Sequence, residues 1–65
     1  MEPIKLDLII ERGEEGLWGR VIYKENLLAD SGNTVNELEE KLKVLLFEFE
    51  GVNPEALQFD YVYEV

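Results

Sequence analysis

The sequence has no histidine and no cysteine, and its six basic residues face fifteen acidic ones. Without cysteine or histidine there is no zinc or thiolate site, no disulfide frame and no imidazole acid/base pair. The shortage of lysine and arginine weighs against direct binding of nucleic acid, because a net charge of -9 repels a phosphate backbone. An acidic surface suits a basic protein partner better. Long hydrophobic runs are also missing. The longest uninterrupted apolar stretch, residues 44–47, has four residues, against the ~18 that a membrane span needs. Met1-Glu2-Pro3 carries no basic targeting region. A soluble, cytoplasmic protein without membrane contact is the expectation.

What is present is enough for one small domain over residues 1–65. At 46% hydrophobic the chain is too apolar for a disordered acidic tail. A domain of this size buries only ~60% of its unfolded surface. With no disulfide or metal to staple it, its stability has to come from packing, self-association or a partner.

Residues 4–11 alternate, with Ile4, Leu6, Leu8 and Ile10 on one face, which predicts a strand. Residues 12–16, with glycines at 13 and 16, read as a hairpin loop into a second, antiparallel strand over 17–24. Glu25-Asn26 signals another turn, and 27–30 a short third strand. Thr34 and Glu37 form a capping box, with the Glu37 side chain reaching back to the Thr34 amide. A helix follows over 35–50, and Gly51 stops it. Val35, Leu38, Leu42, Leu45, Leu46 and Phe49 fall in one stripe about 100° wide. Glu37–Lys41 and Glu39–Lys43 are i,i+4 pairs in the favourable order. Residues 52–57 read as a linker with one helical turn beginning at Pro54. A last strand over 58–65 places Phe59, Tyr61, Tyr63 and Val65 on one face. Because the sequence stops inside that strand, either the chain is truncated or its edge is completed by another chain. The fold class is α+β, in the order β-β-β-α-β: an antiparallel-rich four-stranded sheet with one helix packed on one face.

Carboxylates are the remaining candidates for catalysis. Asp7, Glu48 and Asp60 are weighed as a magnesium triad, but Asp7 and Asp60 alternate away from the apolar face and Glu48 belongs on the helix flank. Ser31 and Thr34 are the only hydroxyls of their kind and have no base beside them. Gly13 and Gly16 lack the strand-loop-helix order and the lysine of a phosphate loop. The reading is of a protein that is not an enzyme and uses neither metal nor cofactor.

Binding is more legible. On the second strand either Leu17, Val21 and Tyr23 or Trp18, Arg20 and Ile22 point outwards. Gly19 suits a position crowded by the helix, which favours the second set. Trp18, Ile22, Ile9 and Val62 then form an apolar patch rimmed by Arg20, Lys5 and Asp60, a composition that suits an interface. The plainer alternative has Trp18 covering a neighbouring strand with Arg20 stacked on it. On the helix, Val44 and Phe47 lie opposite the core stripe beside Glu40, and either pack on a loop of the chain or meet another protomer, which suggests a homo-oligomer. Residues 34–65 hold eight acids and two bases, a skew that either keeps the domain soluble or attracts a basic partner.

Two segments together resemble HicB-like antitoxins: Ile-Ile-Glu-Arg-Gly-Glu-Glu-Gly-Leu-Trp-Gly-Arg-Val (9–21) and Ser-Gly-Asn-Thr-Val-Asn-Glu-Leu (31–38). The resemblance spans about residues 4–50. Two departures stand out. Tyr23-Lys24-Glu25-Asn26-Leu27 replaces the Leu-Pro-Gly turn common before the third strand. There is also no room for the family's C-terminal DNA-binding domain, so operator binding does not carry over. The resemblance implies a partial RNase H-like fold without nuclease activity. It also implies a partner, a small basic mRNA-interferase toxin of HicA type, neutralised by covering its active site. No catalytic residues carry over.

Overall fold

A computed structural model describes residues 3–64. Four strands, β1 (Ile4–Arg12), β2 (Leu17–Tyr23), β3 (Asn26–Gly32) and β4 (Leu57–Glu64), form one sheet in the order β3-β2-β1-β4. The first three make an antiparallel meander. Helix α1 (Val35–Glu50) then carries the chain back along the sheet, so that β4 joins the far edge parallel to β1. A parallel neighbour requires a crossover of this kind. The α+β architecture expected from the periodicities is the one observed.

Alternation on β1 sends Leu8 and Ile10 into the core, where they meet Val21 of β2 and Leu38, Leu42 and Leu46 of α1. Gly19 lies beneath the helix. A Cβ there would stand 3.2 Å from Leu38 Cδ1 and from Leu8 Cδ1, so the missing side chain lets helix and sheet approach. Both ends of α1 are closed locally. Thr34 Oγ1 accepts from the Glu37 amide at 3.1 Å. Glu37 Oε2 accepts from the Asn33 amide at 3.1 Å, one residue before the Thr34 amide expected of a capping box. At the other end, Gly51 takes a left-handed conformation at φ 67, and the amides of Gly51 and Val52 bond back to the Phe47 and Leu46 carbonyls. Glu37–Lys41 and Glu39–Lys43 pair along the helix as expected.

Several boundaries differ from the sequence reading. β3 runs from Asn26 to Gly32 rather than 27–30, because pairing with β2 extends through Gly19↔Asp30, Trp18↔Ser31 and Leu17↔Gly32. That cross-strand ladder overrides the turn preference of Asp, Ser and Gly. The β2–β3 turn is Lys24-Glu25, not Glu25-Asn26, and both residues have positive φ, 47 and 71, as a two-residue type I′ hairpin requires. β4 starts at Leu57, which is buried, after a 3-10 turn (Pro54–Ala56) with Pro54 at its start.

Two parts of the expected core are open. Phe49 lies in the right stripe but is 69% exposed. The last turn of α1 has reached the β2–β3 turn, where Asn26 Nδ2 donates to Glu50 Oε1 at 2.7 Å, and the sheet ends there. On β4 Leu57 and Phe59 pack into the core, while Tyr61 and Tyr63 stay exposed, because α1 lies chiefly over β2 and β3. The expectation for Val65 lies outside the described residues.

Leu42→Ala should lower the unfolding free energy by about 2–5 kcal/mol, a large share of what so small a domain holds. The pair Lys24→Asn and Glu25→Gly should raise it by about 1 kcal/mol, since neither native residue favours a left-handed backbone. Urea denaturation measures both. An unchanged midpoint for the turn variant would show that the turn carries no strain.

Candidate interaction surface

The sheet has two unlike faces. α1 covers much of the inner one. Among the described residues the outer one has no covering element, and its character follows from strand register. Ala29, Arg20, Ile9 and Val62 stand in one row across β3, β2, β1 and β4, and Ser31, Trp18, Glu11 and Glu64 in the next. Leu27 stands opposite Ile22 at the end of β2. Trp18, Ile22 and Leu27 are 54%, 60% and 62% exposed, and Val62 is 41% exposed. Ile9 is half-buried between them. Trp18, Ile22, Ile9 and Val62 therefore share the outward face, as the choice of strand parity implied. Leu27 was not singled out from the sequence, although Leu27-Leu28 on a strand must show one leucine to each face.

Arg20 differs from its expected place on the rim. The register sets it in the middle of the apolar row, between Ala29 and Ile9. Its guanidinium bridges Glu11 Oε2 at 3.4 Å and donates to Glu64 Oε1. It thus joins β2 to β4 over β1, pairs with two carboxylates at once and leaves the rest of the row hydrophobic. The Trp18 indole lies instead over the β1–β2 loop: a Cβ on Gly13 would come within 2.8 Å of Trp18 Cδ1. Lys5 and Asp60 do flank the patch. Between Lys5, Asp7, Ile9 and Ile22 the face dips into a shallow open groove.

The second set, Glu40, Val44 and Phe47, forms a line along the opposite side of the molecule. Val44 and Phe47 are 53% and 58% exposed, so neither is packed away by a loop of the chain. The structure does not bring this line together with the sheet patch. Asp7 and Asp60 are register partners on the outer face, whereas Glu48 is on the helix, on the other side of the sheet. The three do not converge, and among the described residues no three carboxylates gather as metal ligands would. No helix among the described residues is long and apolar enough to cross a membrane.

The inner face of β4 holds a second feature that sequence reading placed in the core. Tyr61 and Tyr63 are 45% and 63% exposed beside the flank of α1. The Tyr61 phenol is pushed above its ordinary range, first by partial burial, then by the Glu39 carboxylate through its charge and a hydrogen bond, and by Tyr63.

No protein-family model matches the chain, and no curated protein or solved structure matches it either.

The raised phenol carries a pH consequence. The fold favours the neutral form, so the contribution is fully present below the unfolded tyrosine value of about 10 and is lost as pH rises through the higher folded value. In a phenolate absorbance titration, Glu39→Gln should bring one of the three tyrosines back towards its ordinary range. If all three titrate as in the parent, Glu39 is not a cause of the shift.

Proposed function

We propose that this chain is a protein-binding module, not an enzyme, which docks a small basic protein on the outer face of its sheet. The observation that carries the proposal is the outer sheet face showing exposed Trp18, Ile22, Leu27 and Val62 on a domain of net charge -9. Exposed apolar side chains, a tryptophan among them, supply contact energy, and the surrounding carboxylates supply attraction and orientation. Within that class, the resemblance to HicB-like antitoxins points to a HicA-type mRNA interferase as the partner, held inactive by occlusion of its RNA-binding surface. The chemistry agrees with this. A toxin that grips RNA presents a cationic surface, and an acidic inhibitor without catalytic groups is a suitable cover for it. Such an inhibitor would act in the cytoplasm, where the toxin meets mRNA.

A second reading rests on the exposed line Glu40, Val44 and Phe47. An apolar strip on the helix suits self-association, and the chain would then be a stand-alone oligomerisation domain without a toxin.

Co-expression with a small lysine-rich protein encoded beside it should give a stable complex and relieve growth arrest caused by that protein. Trp18→Ala should weaken the complex about 30-fold, as expected for an aromatic anchor. Absence of both binding and relief would end the antitoxin reading. Light scattering separates the alternative: an oligomer that Phe47→Glu dissociates supports it, and a strict monomer for parent and variant removes it.

A further inference from the structure

The two edges of the sheet are treated differently by the rest of the chain. On β3, the side chains of the domain occupy both backbone groups of Ser31: Asp30 Oδ1 accepts from its amide at 2.7 Å, and Lys41 Nζ of α1 donates to its carbonyl at 2.8 Å. α1 also packs most closely along this side. On β4, no side chain among the described residues bonds to the strand's backbone. β4 runs eight residues in unbroken register with β1, from Ile4↔Leu57 to Glu11↔Glu64, and among the described residues nothing pairs with its other edge. It contains no proline, glycine or lysine, three of the devices that usually blunt an edge.

The two faces of this strand specify what would pair with it. Tyr61 and Tyr63 make an exposed aromatic ledge on the inner side, continuing from Phe59, which is half-buried against the core. Asp60 stands on the outer side next to Asp7, its register partner, and neither has a basic partner among the described residues. A strand added here would set alternate residues over the aromatic ledge and over these carboxylates. We propose that β4 takes a fifth strand from the basic partner, an extended segment in which apolar residues alternate with lysine or arginine. Backbone pairing gives the segment its grip, the ledge takes its apolar side chains, and Asp7 and Asp60 take its cations. This rests on the reading of the chain as a binder of a basic protein. It adds a contact on the sheet edge to the one on the outer face. A second copy of the chain is a poorer occupant, because it would bring further carboxylates to the pair already unmatched at Asp7 and Asp60.

The test uses a fluorescein-labelled heptapeptide of alternating valine and lysine, with the full chain, in fluorescence anisotropy and in amide hydrogen exchange followed by NMR. The expected result is saturable binding in which the outward amides of β4 slow about tenfold or more while those of β3 do not. Asp60→Lys, whose circular dichroism should match the parent, should weaken binding roughly tenfold. Binding without slower exchange in β4 would mean charge attraction alone and overturn the proposal, as would failure of the peptide to bind. Slow outward β4 amides in the chain alone, with a doubled mass, would assign the edge to a second copy and also overturn it. None of these negative results touches the docking on the outer face, which the Trp18→Ala complex measures separately.

Discussion

Everything in this domain is arranged around one contact, that of Leu38, Leu42 and Leu46 on the helix with Leu8, Ile10 and Val21 on the sheet. All six are buried. In a chain of 65 residues without cysteine to form a disulfide, that single layer supplies most of the available hydrophobic stabilisation. It also has a geometric demand. The helix must come close to β2, and Gly19 allows this by placing no side chain between Leu38 and Leu8. The helix accordingly sits over β2 and β3 rather than over the middle of the sheet.

That off-centre position shapes the surface. One helix cannot cover four strands, so the Tyr61 and Tyr63 end of β4 stays open on its inner side. The outer face, which no helix among the described residues covers, displays Trp18, Ile22, Leu27 and Val62. Charge then divides the roles of these surfaces. Arg20 is consumed within the outer face by Glu11 and Glu64, and Lys41 and Lys43 are engaged along the helix with Glu37 and Glu39. Half of the six cations in the sequence remain after Arg20, Lys41 and Lys43 are set aside, yet Asp7 and Asp60 have no salt-bridge partner among the described residues. The surface is short of positive charge where its apolar groups are exposed, which is why a basic partner is the natural complement.

Local signals were read well because they depend on near neighbours. The period-two alternation of β1, the Thr34 cap, the Gly51 stop and the helix spacing all involve residues within a few positions of each other. The outward parity of Trp18, Arg20 and Ile22 was legible for a related reason, since Gly19 on the same strand marks the crowded side. Signals failed where distant pairing overrode them. Asp30, Ser31 and Gly32 look like a loop and form a strand because β2 lies beside them. Arg20 looks like a rim residue and becomes central because Ala29 and Ile9 arrive on either side. Phe49 and Tyr61 have the spacing of core residues and lack a core to enter.

The absence of histidine and cysteine, the acidic balance and the two periodicities determined by themselves that this is a small α+β domain that uses none of the chemistry of those residues. They follow from residue type and from spacing along one chain. The tertiary structure alone decided that β4 pairs parallel to β1 at an open edge, and that α1 stops short of it. Strand order and helix placement depend on which distant surfaces bury the most apolar area together, a quantity that no local window contains. The surfaces left over from that competition are the ones on which the function is proposed to rest.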